Sequence, residues 1–96
     1  MIGDLFNRGA LPVLERMAQF TEARHRVLAD NIANLSTPYF KPRDLNPREF
    51  QQELQRAFVQ RQQSGRTRAP LELRDTREIR FTPHGLQTRP QATHQG

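Results

Sequence analysis

The side chains that could do chemistry in this 96-residue chain are spaced so that little chemistry is open to them. Its three histidines, His25, His84 and His94, are too scattered for a sequence-readable metal site. The chain has no cysteine, so it has neither a disulfide nor a thiolate ligand set. The five glycines are isolated and form no phosphate-cradling loop. Glu22 and Asp30 are surface carboxylates of a predicted helix and do not make an acid/base dyad. No serine or threonine has an evident base beside it. The expectation is a protein without catalytic residues, metal, cofactor or small-molecule substrate.

Charge and composition narrow the classes further. The formal net charge is +5, and all fifteen basic residues except Lys41 are arginines. A basic balance can mark a nucleic-acid partner or a membrane surface. Here the arginines run from Arg8 to Arg89 without forming a block, which is how solvated faces look. Only 34% of residues are hydrophobic, so the core must be thin, and part of the chain is expected to order only against partners. The opening Met1-Ile2-Gly3-Asp4-Leu5-Phe6-Asn7-Arg8 lacks the basic and apolar regions of a cleavable signal peptide. No apolar run approaches the ~20 residues that span a bilayer.

What remains is amphipathic architecture. Leu14, Ala18, Thr21, His25, Leu28, Ile32 and Leu35 alternate in steps of four and three, and Val13, Met17, Phe20 and Val27 lie in a row beside them. This broad apolar stripe predicts a helix over residues 11–35, with Pro12 in its first turn. Glu15, Arg16, Gln19, Glu22, Arg26 and Asp30 mark the opposite, polar face. His25, on the stripe, is a packed or partner-facing histidine on this reading. Ser36-Thr37-Pro38 stops the helix, because a residue before proline is pushed out of the α region. An ordered loop follows to Asn46. Asn46-Pro47-Arg48-Glu49 then reads as a cap, a first-turn proline and a capping-box glutamate. It opens a second helix whose stripe is Phe50, Leu54, Ala57, Phe58 and Arg61.

Residues 64–70 are polar and basic. Leu71-Glu72-Leu73-Arg74 and Glu78-Ile79-Arg80-Phe81-Thr82 each alternate like half-buried strands, with Asp75-Thr76 as the turn between them. Nothing after Pro83 is periodic. The predicted fold is therefore mainly α. A long amphipathic helix and a shorter one form a helical hairpin over residues 1–62. A linker and short β-hairpin occupy 63–82, and a flexible tail 83–96.

The stretch Asn31-Ile32-Ala33-Asn34-Leu35-Ser36-Thr37-Pro38-Tyr39-Phe40-Lys41 resembles the amino-terminal signature of the bacterial flagellar axial proteins, the rod, hook and related subunits. In that family a helix ends in Asn-Ile-Ala-Asn, followed two residues later by Thr-Pro and then usually Gly-Tyr-Lys. The upstream Leu11-Pro12-Val13-Leu14-Glu15, Phe20 to Arg26, and the downstream Arg43-Asp44-Leu45 are similar to proximal-rod subunits in particular. The likeness covers roughly residues 5–50. It departs at Tyr39, where the family has glycine, and Tyr lacks glycine's freedom to take positive φ, so a different turn is expected there. It departs again after Phe81, where the family's carboxy-terminal helix is not found.

The resemblance implies a structural subunit of the basal-body rod. It implies export through the flagellar type III apparatus without a cleaved signal, and location in the periplasmic rod. The implied partners are other rod subunits and the export-gate end of the basal body, in a homo- or hetero-oligomeric helical assembly. Its contact residues would be Leu14, Met17, Ala18, Phe20, Thr21, His25, Leu28, Asn31, Ile32, Asn34, Leu35, Thr37, Pro38, Tyr39, Phe40 and Lys41. Asn31 and Asn34 have a second reading, equally open, as polar residues that bond the backbone at the helix end. The alternative from another class is a small basic helical nucleic-acid-binding protein, which needs an arginine-dominated helix face.

Overall fold

A computed structural model of the chain describes residues 9–67 and 69–89. Residues 1–8, Arg68 and residues 90–96, which include His94 and the last part of the expected tail, lie outside the described residues. The elements are helix α1 (Leu11–Ala33), helix α2 (Pro47–Gln63) and an antiparallel hairpin of β1 (Ile79–Thr82) and β2 (Gly85–Thr88). The architecture is mainly helical, two helices followed by a short hairpin, as the periodicity predicts.

α1 begins at Leu11 after the N-cap Ala10, which offers no side-chain cap, with Pro12 in the first turn, where its missing N–H costs nothing. It ends two residues before the predicted stop. The Asn34 N–H reaches back to the carbonyls of Asp30 and Asn31, closing the last turn tightly. α2 begins as its sequence indicates. Asn46 Oδ1 accepts from the N–H groups of Arg48 (3.0 Å) and Glu49 (3.2 Å). The capping box is not completed by Glu49, however. The Asn46 N–H donates to Glu78 Oε2 at 2.8 Å instead, so a carboxylate from the hairpin does that work. Glu49 Oε1 is buried without a hydrogen-bond partner among the described residues.

The core lies where α1, α2 and the hairpin meet. Phe20 and Val27 of α1, Leu45, and Phe50, Leu54 and Ala57 of α2 join Leu71 and Ile79. The Phe20 and Phe50 rings stack at 4.3 Å between centroids, and Phe81 extends the stack beyond Phe50 at 6.3 Å.

The hairpin differs from the predicted one. Ile79–Thr82 is a strand, but its partner is Gly85–Thr88, which was expected to be tail, and Leu71–Arg74 is not a strand. The alternation of Leu71 and Leu73 does mark an inward face, but what lies across from it is α2. Arg56 Nη2 donates to the Glu72 carbonyl (2.8 Å), and the Arg74 N–H donates to Glu53 Oε2 (2.6 Å). Side chains of one helix turn thus take up the Glu72 carbonyl and the Arg74 N–H, where a strand partner would otherwise bond. Asp75 and Thr76 do turn the chain, but into β1: Asp75 Oδ1 accepts from the Phe81 N–H and Thr76 Oγ1 from the Ile79 N–H. Pro83 and His84 make the two-residue connection to β2.

Two arginines fasten the parts together. Arg16, assigned above to the polar face of α1, is half-buried; its guanidinium donates to the carbonyls of Thr82 (2.7 Å) and Gly85 and lies over the Phe81 ring. Arg61 is only 5% exposed. It donates to the carbonyls of Ala69 and Gly9 and lies over Phe58. The polar linker is therefore held against α2.

Candidate assembly surface

The apolar stripe of α1 splits into two rows about 100° apart, and the fold uses one of them. The row through Val13, Phe20 and Val27 faces α2 and the hairpin, with Ala23 packed beside it. The other row is left outside. Leu28 is exposed, Ile32 is 70% exposed and Leu35 78%, and Met17, though of the inner row, is exposed as well. Ala18, Thr21 and His25 are exposed too, and Leu14 is half-buried. Burying each large side chain of this kind stabilises by roughly 1.5–3 kcal/mol, so the open row is an unmet driving force for association. A groove of about 390 Å³ runs beside its middle, between Met17, Thr21, His25 and Leu28 of α1 and Pro47, Phe50 and Gln51 of α2.

Phe20 reaches this surface only as part of the groove wall. It is 7% exposed and stacked on Phe50, because a phenyl ring on the α2-facing row is the side chain best able to fill the gap between helices.

Asn31 and Asn34 also turn inward to the chain's own backbone. Asn31 Nδ2 donates to the Arg43 carbonyl (2.6 Å), and its Oδ1 accepts from the Arg43 N–H (3.0 Å). One side-chain amide thus imitates a strand pairing with Arg43 and pins the loop to the end of α1. Asn34 Nδ2 donates to the Asp30 carbonyl (2.9 Å), one of the orphan carbonyls of the last turn, and its Oδ1 accepts from Thr37 Oγ1 (3.0 Å). Both amides are engaged locally, in helix termination and loop anchoring. The signal for this lay in the polarity of residues beside a helix stop.

Beyond Asn34 the chain descends through successive turns. The last runs from Thr37 to Phe40, closed by the Phe40 N–H on the Thr37 carbonyl (3.2 Å), with Pro38 and Tyr39 at its centre. Tyr39 has φ +65°, the only positive φ among the described non-glycine residues. Proline followed by a positive-φ residue is the pattern of a type II turn, which ordinarily wants glycine at that place. Tyr39 takes positive φ in spite of its Cβ. The tyrosine adopts the glycine-type conformation, and its side chain is 99% exposed. Pro38 and Lys41 are exposed beside it, and Phe40 is half-buried.

Electrostatics stiffens the same region. Arg24 grips Asp44 through Nε (2.9 Å) and Nη2 (2.8 Å), tying mid-α1 to the loop just before α2. That bond holds the Asp44 carboxyl below its ordinary pKa, against burial and with help from the Leu45 N–H, and it raises the Arg24 guanidinium. Glu53 is likewise lowered. Burial alone would raise it, but the bonds from Arg56 and the Arg74 N–H together outweigh burial. Burial lowers Arg16, opposed by Glu15. Arg16, Arg24, Arg56 and Arg61 are therefore engaged within the fold and do not form an arginine face.

Among the described residues no three His, Asp or Glu side chains are grouped to hold a metal ion, and no helix is long and apolar enough to cross a membrane. No protein-family model matches the chain, and neither curated proteins nor solved structures give a match.

Proposed function

We propose that the chain is a structural assembly subunit of the bacterial flagellar basal-body rod, of the proximal kind that FlgB represents, and not an enzyme. One observation carries this reading: Leu28 and Ile32 of α1, one turn apart, and Leu35 in the turn just after it are apolar and open to solvent, ahead of an outward-pointing Tyr39. Such a face is complete only when another chain covers it. The residues that would make those contacts are the exposed row of α1 and Pro38, Tyr39 and Lys41. Asn31 and Asn34 would support them by fixing the loop. The Asn-Ile-Ala-Asn and Thr-Pro spacing and the glycine-type turn at Tyr39 support the family likeness. Export through the type III apparatus and contact with the export-gate end of the basal body follow from that likeness.

The test is genetic and structural. A strain lacking this gene should build no complete rod, and the wild-type chain should restore it. A chain carrying Leu28→Asp and Ile32→Asp should be made and folded yet fail to restore it. A deletion strain with intact basal bodies overturns the assignment. The nucleic-acid alternative is tested on the same purified chain, where it requires duplex binding that weakens steeply with salt.

A further inference from the structure

We infer that α1 pairs with α1 of a second copy, antiparallel, about a two-fold axis beside Ala23. The exposed row, extended to Leu11, has members at 11, 14, 18, 21, 25, 28, 32 and 35, in unbroken four-three alternation. This is the spacing of a coiled-coil seam. Leu11, Leu28 and Ile32 are exposed on it, and Leu35, also exposed, follows in the turn just past the end of α1.

The order of types along the row reads almost the same in either direction. Turned about residue 23, Leu14 meets Ile32, Ala18 meets Leu28, and Thr21 meets His25, while Leu11 comes to the end of the partner helix, where the turn carrying Leu35 begins. Every apolar side chain falls opposite an apolar one, and small Ala18 falls opposite large Leu28. The only polar members face each other. Thr21 Oγ1 already donates to the Met17 carbonyl (2.9 Å), so its free lone pair is left to accept from a partner imidazole N–H. A parallel pair would instead stack His25 on His25 and leave each Thr21 beside a second hydroxyl.

The groove between α1 and the start of α2 borders Thr21, His25 and Leu28, where the partner's central side chains would seat. The charges nearest the axis are settled within each chain, Glu22 with Arg26 and Arg24 with Asp44, so the pairing sets no bare like charges together. The α2 residues along the groove, Pro47, Phe50 and Gln51, are uncharged.

Such a pair is isologous and closes at two copies. It differs from head-to-tail growth, does not depend on the rod assignment, and would occupy the face that rod assembly needs.

The experiment uses the full 96-residue chain, which has no cysteine and so accepts a single spin label cleanly. Sedimentation equilibrium should show a reversible monomer–dimer at concentrations up to about 1 mM. Labels on Ala33→Cys, an exposed site at the end of α1, should lie about 30 Å apart along the paired helices, at 1.5 Å per residue. Leu28→Asp and Ile32→Asp each replace an exposed side chain, so circular dichroism should be unchanged while pairing weakens at least tenfold. A chain that stays monomeric, an open-ended polymer, a label distance under about 20 Å as a parallel pair gives, or pairing untouched by both substitutions each overturns the inference. None of those results bears on whether a deletion strain builds a rod.

Discussion

Tyr39→Gly should stabilise the isolated chain, although it removes the largest side chain of its loop. A non-glycine residue in the left-handed region costs about 1–2 kcal/mol, and Tyr39 sits there at φ +65°. The usual offset to removing an aromatic is lost burial, but this ring is 99% exposed, so there is almost none to lose. The remaining offset is the greater backbone freedom of glycine in the unfolded chain, about 0.5–1 kcal/mol. The net gain is about 0.5–1 kcal/mol. For a domain of this size each kcal/mol is worth about 4–8 °C in Tm, so the shift should be about 2–8 °C upward. The assay is urea and thermal unfolding followed by far-ultraviolet circular dichroism, since the substitution removes the only tyrosine. Tyr39→Ala is the control: it keeps the Cβ that causes the strain and should leave stability within about 0.5 kcal/mol. A glycine variant no more stable than the alanine variant refutes the argument that the turn is strained. If the ring is an assembly contact, the glycine variant should also be the more stable chain and the poorer partner in assembly.

Asn31→Ala should destabilise by about 2 kcal/mol, near 1 for each of its bonds to Arg43; urea titration measures it, and a change under about 0.5 kcal/mol contradicts the anchoring role. Arg16→Met should free the hairpin while leaving the helices intact, seen as faster amide exchange over residues 79–88 at unchanged helical dichroism. The lowered carboxyls of Asp44 and Glu53 contribute stability that is fully present above their unfolded pKa values, near 3.9 and 4.3. It is lost as pH falls through the still lower folded values. Tm should therefore drop on acidification below about pH 4, and less so in Asp44→Asn and in Glu53→Gln. The Asp44 part should shrink with added salt, because that ion pair is partly exposed.

The helices were legible because their signals are local. The Asn46 cap, Pro12 and Pro47 in first turns, and the spacing of apolar residues all act within one or two turns of the chain. The stripe on α1 was legible as a stripe, but not which of its two rows α2 would take. That choice is made by the fit of Phe20 against Phe50, two residues thirty positions apart. The hairpin was half legible. Alternation shows that Leu71 and Leu73 point one way, yet it cannot say whether the opposing surface is a strand or a helix. Gly85–Thr88 carries too little apolar character to announce a strand; it is held there by β1 and by Arg16 reaching across from α1. The roles of Asn31 and Asn34 were visible only as two open alternatives until the loop backbone at Arg43 was seen beside the first of them.

Arg61 couples regions that would otherwise move separately. Its guanidinium holds the carbonyl just before an uncapped helix and another in the segment leaving α2. Whatever loosens the last turn of α2 thereby releases the entrance to α1 as well. Two stretches of chain more than fifty positions apart should then breathe as a single unit, and a chain partner that grips either one would quieten both.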